Sequence, residues 1–255
     1  MNATGYIVYR GPSVLDDSPI VMVALMNSQN EKTGNLVQTY ILVDTGERPT
    51  ETLRSGNDDA ICGDCKLRPV NSGACYVVVR QGATKVWQRL QQGQYPVLQP
   101  AQYAGVFNGR MIRMGTYGDP AAVPISAWKP ILRAAGSWIG YTHQWLLQSA
   151  EPLRKYCMAS VDTAEEKAVA NARGWRTYRV RLPDEHLLSK EGICPASEEA
   201  DHKLTCLDCG ACDGANGRHG NIAIILHGNH TNFAGTKYRA RIDNFLRSRE
   251  IQTPQ

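Results

Sequence analysis

The stretch that decides the fold is CMASVDTAEEKAVANARGWRTYRVR, residues 157–181. Its first five residues, Cys157 to Val161, are small and apolar and have the length of a buried strand. Thr163-x-x-Glu166 is a capping box, the interior that follows is alanine-rich, and Gly174 ends the helix. Arg176 to Arg181 then alternates as a strand does. Strand, helix and strand in that order form the unit from which parallel sheets are built.

The same alternation extends outward. Trp138 to His143 (WIGYTH) reads as a strand and Gln144 to Lys155 as helical around Pro152. Arg110 to Thr116 (RMIRMGT) is a strand ending in Tyr117-Gly118-Asp119-Pro120, and Ala121 to Ala135 is helical with Pro124 and Pro130 as interruptions. Further back, Cys75 opens a strand, CYVVV, followed by a helix over Thr84–Gln92 with Val86, Trp87 and Leu90 on one side. Residues 93–109 read as loop. Downstream, Asn221 to Leu226 (NIAIIL) is a buried strand and Thr236 to Arg249 a basic terminal helix. Counted from Cys75, these are six strands, five of them followed by helical segments. The expectation is an α/β fold with a partial (β/α)6-type parallel barrel or sheet, since six units suit the count better than eight.

Residues 5–46 read as an antiparallel β extension. Tyr6 to Tyr9, Pro19 to Met26 and Gln38 to Val43 are its strands, and Asn30 to Asn35 has hairpin-turn chemistry around Gly34. Asp44-Thr45-Gly46 matches the aspartic-protease triplet in letters only; that chemistry needs a second copy, and the bland reading is a turn. The expected organisation is an N-terminal β-hairpin extension over 1–60, a β/α core over 61–190 and 220–250, and a cysteine-rich metal-binding insert over 191–219.

With 255 residues and 42% hydrophobic content, the chain has enough material for one sizeable core. A net charge of +4 is compatible with a nucleic-acid partner without arguing for one. No apolar run approaches the roughly 20 residues that span a bilayer, so no membrane partner is expected. The N-terminus, MNATGYIVYRGP, has no basic region followed by an apolar stretch, and no signal peptide is expected. Eight cysteines in that context point to a reducing, cytoplasmic compartment, where Cys-x2-Cys pairs serve as ligands more often than as disulfides.

Seven of those cysteines fall into two groups. The first is Cys62-x2-Cys65-x9-Cys75. The second is Cys194 followed by Cys206-x2-Cys209-x2-Cys212. Four thiolates close a tetrahedral metal or saturate a cluster, whereas three leave a coordination position open. The first group is therefore read as the working site and the second as structural. No histidine precedes His143, so a fourth ligand for the first group would be a carboxylate such as Asp58, Asp59 or Asp64, or would come from afar. In the second group the double Cys-x2-Cys step and Cys194-Pro195 have the elements of ferredoxin cluster loops, in a different order. Zinc is equally compatible, and His227 is an alternative to Cys194 as fourth ligand. Cys157 reads as a small buried hydrophobe.

In parallel α/β folds working residues gather at the C-terminal strand ends. Asp119 there is either a helix cap or a functional carboxylate. His143 is either a hydrogen-bonded structural residue or a functional one. Asp162 caps the following helix and is still within reach of a ligand hydroxyl. The five tryptophans are read as core, and Arg239, Arg241, Arg247 and Arg249 as a solvated helix face, with phosphate contacts as the alternative.

Motif order over roughly residues 60–230 resembles a phage protein family, the mycobacteriophage gene-product-eighty-eight type. The matching segments are the cysteine group ending in Cys75-Tyr76, RMIRMGTYGDP, GYTHQW, CMASVDTAEEKAVANARGW and CPAS…CLDCGACDG…HG. Fainter similarity links it to three-Cys-motif phage proteins and radical S-adenosylmethionine enzymes. That resemblance implies a partial six-unit β/α barrel, a [4Fe–4S] cluster on Cys62, Cys65 and Cys75, and S-adenosylmethionine on the fourth iron. It also places Ser160 and Asp162 near that cofactor, with Asp119 and His143 lining the site as catalytic groups. The radical-enzyme spacing is Cys-x3-Cys-x2-Cys, which this chain does not keep.

Two functions are thus expected. One is a phage-encoded iron–sulfur enzyme in the host cytoplasm, acting on a small molecule or a nucleotide base. The alternative is a non-catalytic, zinc-stabilised protein that binds nucleic acid. Base exchange in DNA by a glycosyl-transferring barrel is a third, more remote reading.

Overall fold

The computed structural model describes residues 3–27, 30–71, 73–215, 219–226 and 236–250, with backbone alone at 236–239, 241 and 250. In chain order the strands are β1 (Gly5–Pro12), β2 (Pro19–Leu25), β3 (Val37–Val43), β4 (Met111–Tyr117), β5 (Ser137–Thr142), β6 (Met158–Val161), β7 (Thr177–Arg181), β8 (Glu191–Ile193) and β9 (Asn221–Ile225). The helices are α1 (Pro49–Ser55), α2 (Asp59–Cys62), α3 (Gly82–Gln91), α4 (Tyr103–Phe107), α5 (Ile125–Ala135), α6 (Ala164–Ala172), α7 (Cys206–Cys209) and α8 (Thr236–Glu250).

All nine strands join one sheet in the order β1-β2-β3-β4-β5-β6-β7-β9-β8. The pairs β1–β2 and β2–β3 are antiparallel, and every pair from β3 onward is parallel. From β3 to β7 each parallel strand lies beside the one before it, without the reversal of order that marks a doubly wound sheet. The mixed α/β class and the antiparallel N-terminal strands are as the sequence indicates.

The first parallel strand, however, is β3 and not Cys75–Val79. That segment is irregular: Cys75 N–H donates to Leu67 O (2.9 Å) and Val79 N–H to Val77 O (3.1 Å). Its β-branched residues favour a strand, but β3 already has β2 on one side and β4 on the other, so no edge is left for it. Residues 93–109, expected as loop, include α4, and the insert over 191–219 supplies the edge strand β8.

Successive residues of a strand face opposite sides, and the two sides of this sheet differ. Ile112, Met114, Ala159 and Val161 are buried in one cluster with Trp128 and Ile131 of α5 and Ala170 of α6. Ile139, Met158, Tyr178, Ile222 and Ile224 face the other way, in a cluster with Leu36, Cys194, Ala196 and Cys212. α5 and α6 thus cover one face, and the cysteine-rich segment with α7 lies on the other, where Phe245 of α8 also packs with Leu182 and Leu226. Cys157 is buried on the helix side, its Sγ 3.8 Å from Met114 Sδ, as a small hydrophobe should be.

The βαβ unit around α6 forms as its local signals require. Thr163 Oγ1 accepts from Glu166 N–H (3.1 Å), and Glu166 Oε2 accepts from Asp162 N–H (2.6 Å). α5 begins after Pro124, which takes the extended N-cap conformation, and carries Pro130 inside it. Trp128 of α5 is fully buried, and its indole N–H donates to Pro120 O (3.0 Å), bracing the turn that follows β4. Trp128→Ala should lower stability by about 3–5 kcal/mol in denaturant unfolding, through loss of buried volume and of that bond; a change under about 1 kcal/mol would contradict this packing account.

Candidate metal centre and cavity

The first cysteine group is built on α2 and the chain after it. Cys62 N–H donates to Asp58 O (2.8 Å), and Cys65 N–H to Cys62 O (3.3 Å). Nine residues separate Cys65 from Cys75, yet the chain doubles back: Gly73 N–H donates to Arg68 O (3.0 Å) and Cys75 N–H to Leu67 O (2.9 Å). Arg68 holds this fold-back from inside. Its guanidinium makes a bidentate contact with buried Asp58, pairs with Asp59, and donates to the carbonyls of Gly56 (2.7 Å) and Gly63 (2.8 Å). The result brings Cys62, Cys65 and Cys75 within electrostatic reach of one another, and burial first, then the two neighbouring thiols, push the Cys62 thiol well up.

Three strand ends meet this loop. At the end of β4, Gly118 adopts a positive φ of 77°, and a Cβ there would stand 2.8 Å from Ile41 Cβ, so only glycine fits the turn. The turn delivers Asp119, whose N–H donates to Ile61 O (2.6 Å). The Asp119 carboxylate accepts from Ala121 N–H (2.9 Å), Thr142 Oγ1–H (2.7 Å) and His143 N–H (2.7 Å). Burial raises its pKa above the ordinary carboxylate value, while His143 and these hydrogen bonds pull the other way. Asp119 is therefore a cap, and it also joins the ends of β4 and β5 to α2.

At the end of β5, Gln144 Nε2 donates to Cys62 O (2.9 Å), and the His143 ring, whose Nε2 is buried without a hydrogen-bond partner among the described residues, lies within electrostatic reach of the Cys65 thiol. Burial opposes a charge on His143, but Cys65, Asp119 and Asp162 outweigh it and push its pKa up to about 9. At the end of β6, Lys66 Nζ lies 3.1 Å from Asp162 Oδ2 and also pairs with Glu166. Asp162 is thus held by the residue next to Cys65, and His143 lies between Asp119 and Asp162 on one end of the sheet. Ser160 borders the cavity below.

That cavity, about 630 Å³, opens on the sheet face opposite α5 and α6. Arg113, Tyr141, Ser160 and Tyr178 line it from the strands, Tyr76 from the chain after Cys75, and Lys32 from the β2–β3 connection. Its far wall holds the second cysteine group. Cys194 N–H donates to Ala223 O (2.9 Å), Cys206 N–H to Lys32 O (3.0 Å), and Gly140 N–H to Cys212 O (2.9 Å). Arg176 fixes the following turn through Asp213 (2.8 Å) and the carbonyls of Ala211, Gly214 and Gly220. The four thiols are within electrostatic reach of one another, and burial pushes Cys212 up.

All eight cysteines are free thiols, in keeping with ligand spacing. As placed, no group of three or more His, Cys, Asp or Glu side chains among the described residues could hold a metal ion, so loading either set requires its thiols to draw closer. His227 lies outside the described residues, as do the side chains of Arg239 and Arg241. Arg249 turns inward to Glu185 (3.0 Å) and Asp162 O. No helix among the described residues is long and apolar enough to cross a membrane.

Sequence reasoning missed Arg68, Lys66, Arg113 and the tyrosines. Only Arg113 carried a local signal, as a charged residue between Ile112 and Met114 in an apolar strand. Comparison with protein-family models, curated proteins and solved structures finds no match. The class that fold and site define is a mixed α/β protein with a mostly parallel sheet, two cysteine groups and a cavity between them.

The folded pKa of His143 lies above its ordinary 6.5, so the stability it contributes is complete below about pH 6.5 and is lost as the pH rises through about 9. In metal-free protein the His143 ring should titrate near 9 by NMR and fall toward 6.5 in Cys65→Ala. A midpoint that does not move in that variant would contradict the pairing.

Proposed function

We propose that the chain is a metalloenzyme whose working centre is carried by Cys62, Cys65 and Cys75, on a loop whose Leu67, Ala74 and Tyr76 border the cavity. The observation that supports this most is placement. The three-thiol loop follows β3, the first parallel strand, and Asp119, Gln144 and Lys66 fasten it to the C-terminal ends of β4, β5 and β6. Working groups gather at that end of parallel α/β folds. Consecutive parallel strands with α5 and α6 on one face and a cavity on the other suit a partial (β/α)6-type barrel. The form that fits this arrangement is an iron–sulfur enzyme of the radical S-adenosylmethionine kind, phage-encoded and working in the host cytoplasm on a small molecule or nucleotide base.

Three thiols suit a cluster with one open iron, which when bound supplies one-electron chemistry. The chain's own residues do the rest. Arg68 and Asp58 fix the loop, the protonated His143 ring holds a proton between Cys65 and two carboxylates, and Asp119 orients His143 through its backbone. Ser160 and Asp162 would hold a cofactor bound beside the cluster.

The contact between His143 and Cys65 favours a second reading. Three thiolates and an imidazole form a closed zinc set, which would make the first group structural and the chain a zinc-stabilised binding protein whose weakly basic surface meets nucleic acid. Iron, zinc and acid-labile sulfide in anaerobically purified protein separate the two. The enzyme reading expects iron, sulfide and a broad absorption near 400 nm. It also expects that Cys62→Ala, Cys65→Ala and Cys75→Ala stay folded, lose one metal centre and lose S-adenosylmethionine binding in calorimetry. Colourless protein with zinc at both groups, or variants that bind as wild type does, would sink it.

The second group is read as structural under both hypotheses, so its metal-binding free energy is folding free energy. Cys209→Ser should lower both melting temperature and metal content; a soluble variant with neither changed would refute a closed site there.

A further inference from the structure

Arg113 lies on the cavity side of β4, on the opposite face from its neighbours Ile112 and Met114. Its Nε is buried and has no hydrogen-bond partner among the described residues. Its Nη2 is 3.4 Å from the Tyr76 hydroxyl, a weak contact. The groups that act on it most strongly are Tyr76, Tyr141, Cys206 and Tyr178, and no carboxylate is among them. Phenols are neutral below about pH 10 and do not balance the charge, so Cys206, as a thiolate, is the one anion among them. The carboxylates nearest the cavity are at its wall, Glu198 and Glu199, and Glu199 is paired with Arg181. Lys32 adds a second cation to the same cavity. A desolvated guanidinium with an unpartnered Nε and no carboxylate beside it is costly, and its forked donors match a carboxylate or phosphate.

The walls beside Arg113 are aromatic. Tyr141 and Tyr178 stand with ring centroids 4.4 Å apart at an interplanar angle of 49°, and Tyr76 closes the side toward the first cysteine group. Ile139, Ile222 and Ile224 complete an apolar surface. Such a site offers a ring an apolar bed, and its acidic group one fixed cation.

We infer that the cavity binds a small molecule carrying one anionic group, carboxylate or phosphate, on a planar ring. The anion is seated on Arg113 with Lys32 behind it, and the ring lies against Tyr141 and Tyr178. A volume of about 630 Å³ admits a mononucleotide or a smaller aromatic acid. The inference names a ligand class for the cavity beneath the proposed metal centre. It rests on that reading only for the ligand's being a substrate, since binding itself needs no metal at Cys62, Cys65 and Cys75.

The test is calorimetric titration of the purified full chain with nucleoside 5′-monophosphates, the matching nucleosides, aromatic carboxylates such as benzoate and anthranilate, and inorganic phosphate. Metal content is measured on the same samples. The expected result is binding of at least one phosphorylated or carboxylated ring compound and not of its uncharged counterpart. Phosphate and carboxylate arms identify which anion is preferred. Arg113→Gln should weaken that binding at least tenfold, about 1.4 kcal/mol, with melting temperature and metal content unchanged. Tyr178→Leu should weaken ring compounds and leave inorganic phosphate unaffected. The inference is overturned if no anionic ring compound binds wild type, or if Arg113→Gln binds as wild type does. It is also overturned if Arg113→Gln loses metal from the second cysteine group with ligand binding intact, since Arg113 would then serve those thiolates. Binding that persists in metal-free Cys62→Ala would uphold this inference even where the metalloenzyme reading fails.

Discussion

The buried carboxylate of Asp119 is the constraint on which the site depends. Parallel strands β4 and β5 end in separate loops, and nothing in their ladder fixes where those loops go. Asp119 takes hydrogen bonds from Thr142 and His143 of the second loop, and its own N–H reaches Ile61 in α2. One side chain thereby sets the height of the cysteine loop over the sheet and the position of His143 beside Cys65. The cost is a desolvated carboxylate, which burial pushes toward protonation and which the hydrogen bonds hold back. Nearby, Arg68 with Asp58 and Lys66 with Asp162 repeat the pattern at smaller scale: buried ion pairs that tie the cysteine loop to itself and to β6. Such pairs specify geometry more reliably than they add stability.

At the other side of the cavity the second cysteine group plays the complementary part. Its turn donates or accepts backbone hydrogen bonds with the β2–β3 connection, with Gly140 and with Ala223, so it is laid into the sheet face as a wall. Arg176 holds the turn by its carbonyls and Asp213. Between this wall and the three-thiol loop, the strand residues Arg113, Tyr141, Ser160 and Tyr178 face the cavity. Fold and chemistry are linked here by the period of two in a strand. The same strands that bury Ile112, Met114 and Val161 under helices must present their alternate residues to the cavity.

The βαβ unit at residues 157–181 was legible because its signals are local: a capping box, an alanine-rich interior and a glycine stop. Five of the seven strands in parallel pairs, β4 to β7 and β9, were also legible, whereas β3 was read only as antiparallel, β8 was not read, and CYVVV was counted instead. CYVVV has strand composition, and only the tertiary fact that β3 is flanked on both sides excludes it. The two cysteine groups were visible as spacings. Their approach was not, because the nine residues between Cys65 and Cys75 fold back at Arg68, whose guanidinium reaches Gly56, Asp58 and Gly63 while its carbonyl takes the Gly73 N–H. Asp119, His143 and Asp162 do gather at one end of the sheet, as their strand-end positions required. That His143 meets Cys65, and that Lys66 meets Asp162, are contacts between segments far apart in sequence, with no local pattern to announce them.

The central claim is that the loop of Cys62, Cys65 and Cys75 holds a metal centre over the C-terminal ends of β4 to β6. Anomalous diffraction from anaerobically grown crystals, collected on both sides of the iron and zinc edges, tests it most directly. The account predicts an anomalous peak within bonding distance of those three sulfurs, beside His143 and above the cavity. Crystals of metal-replete protein with a peak at the second cysteine group alone, or at neither group, would contradict it.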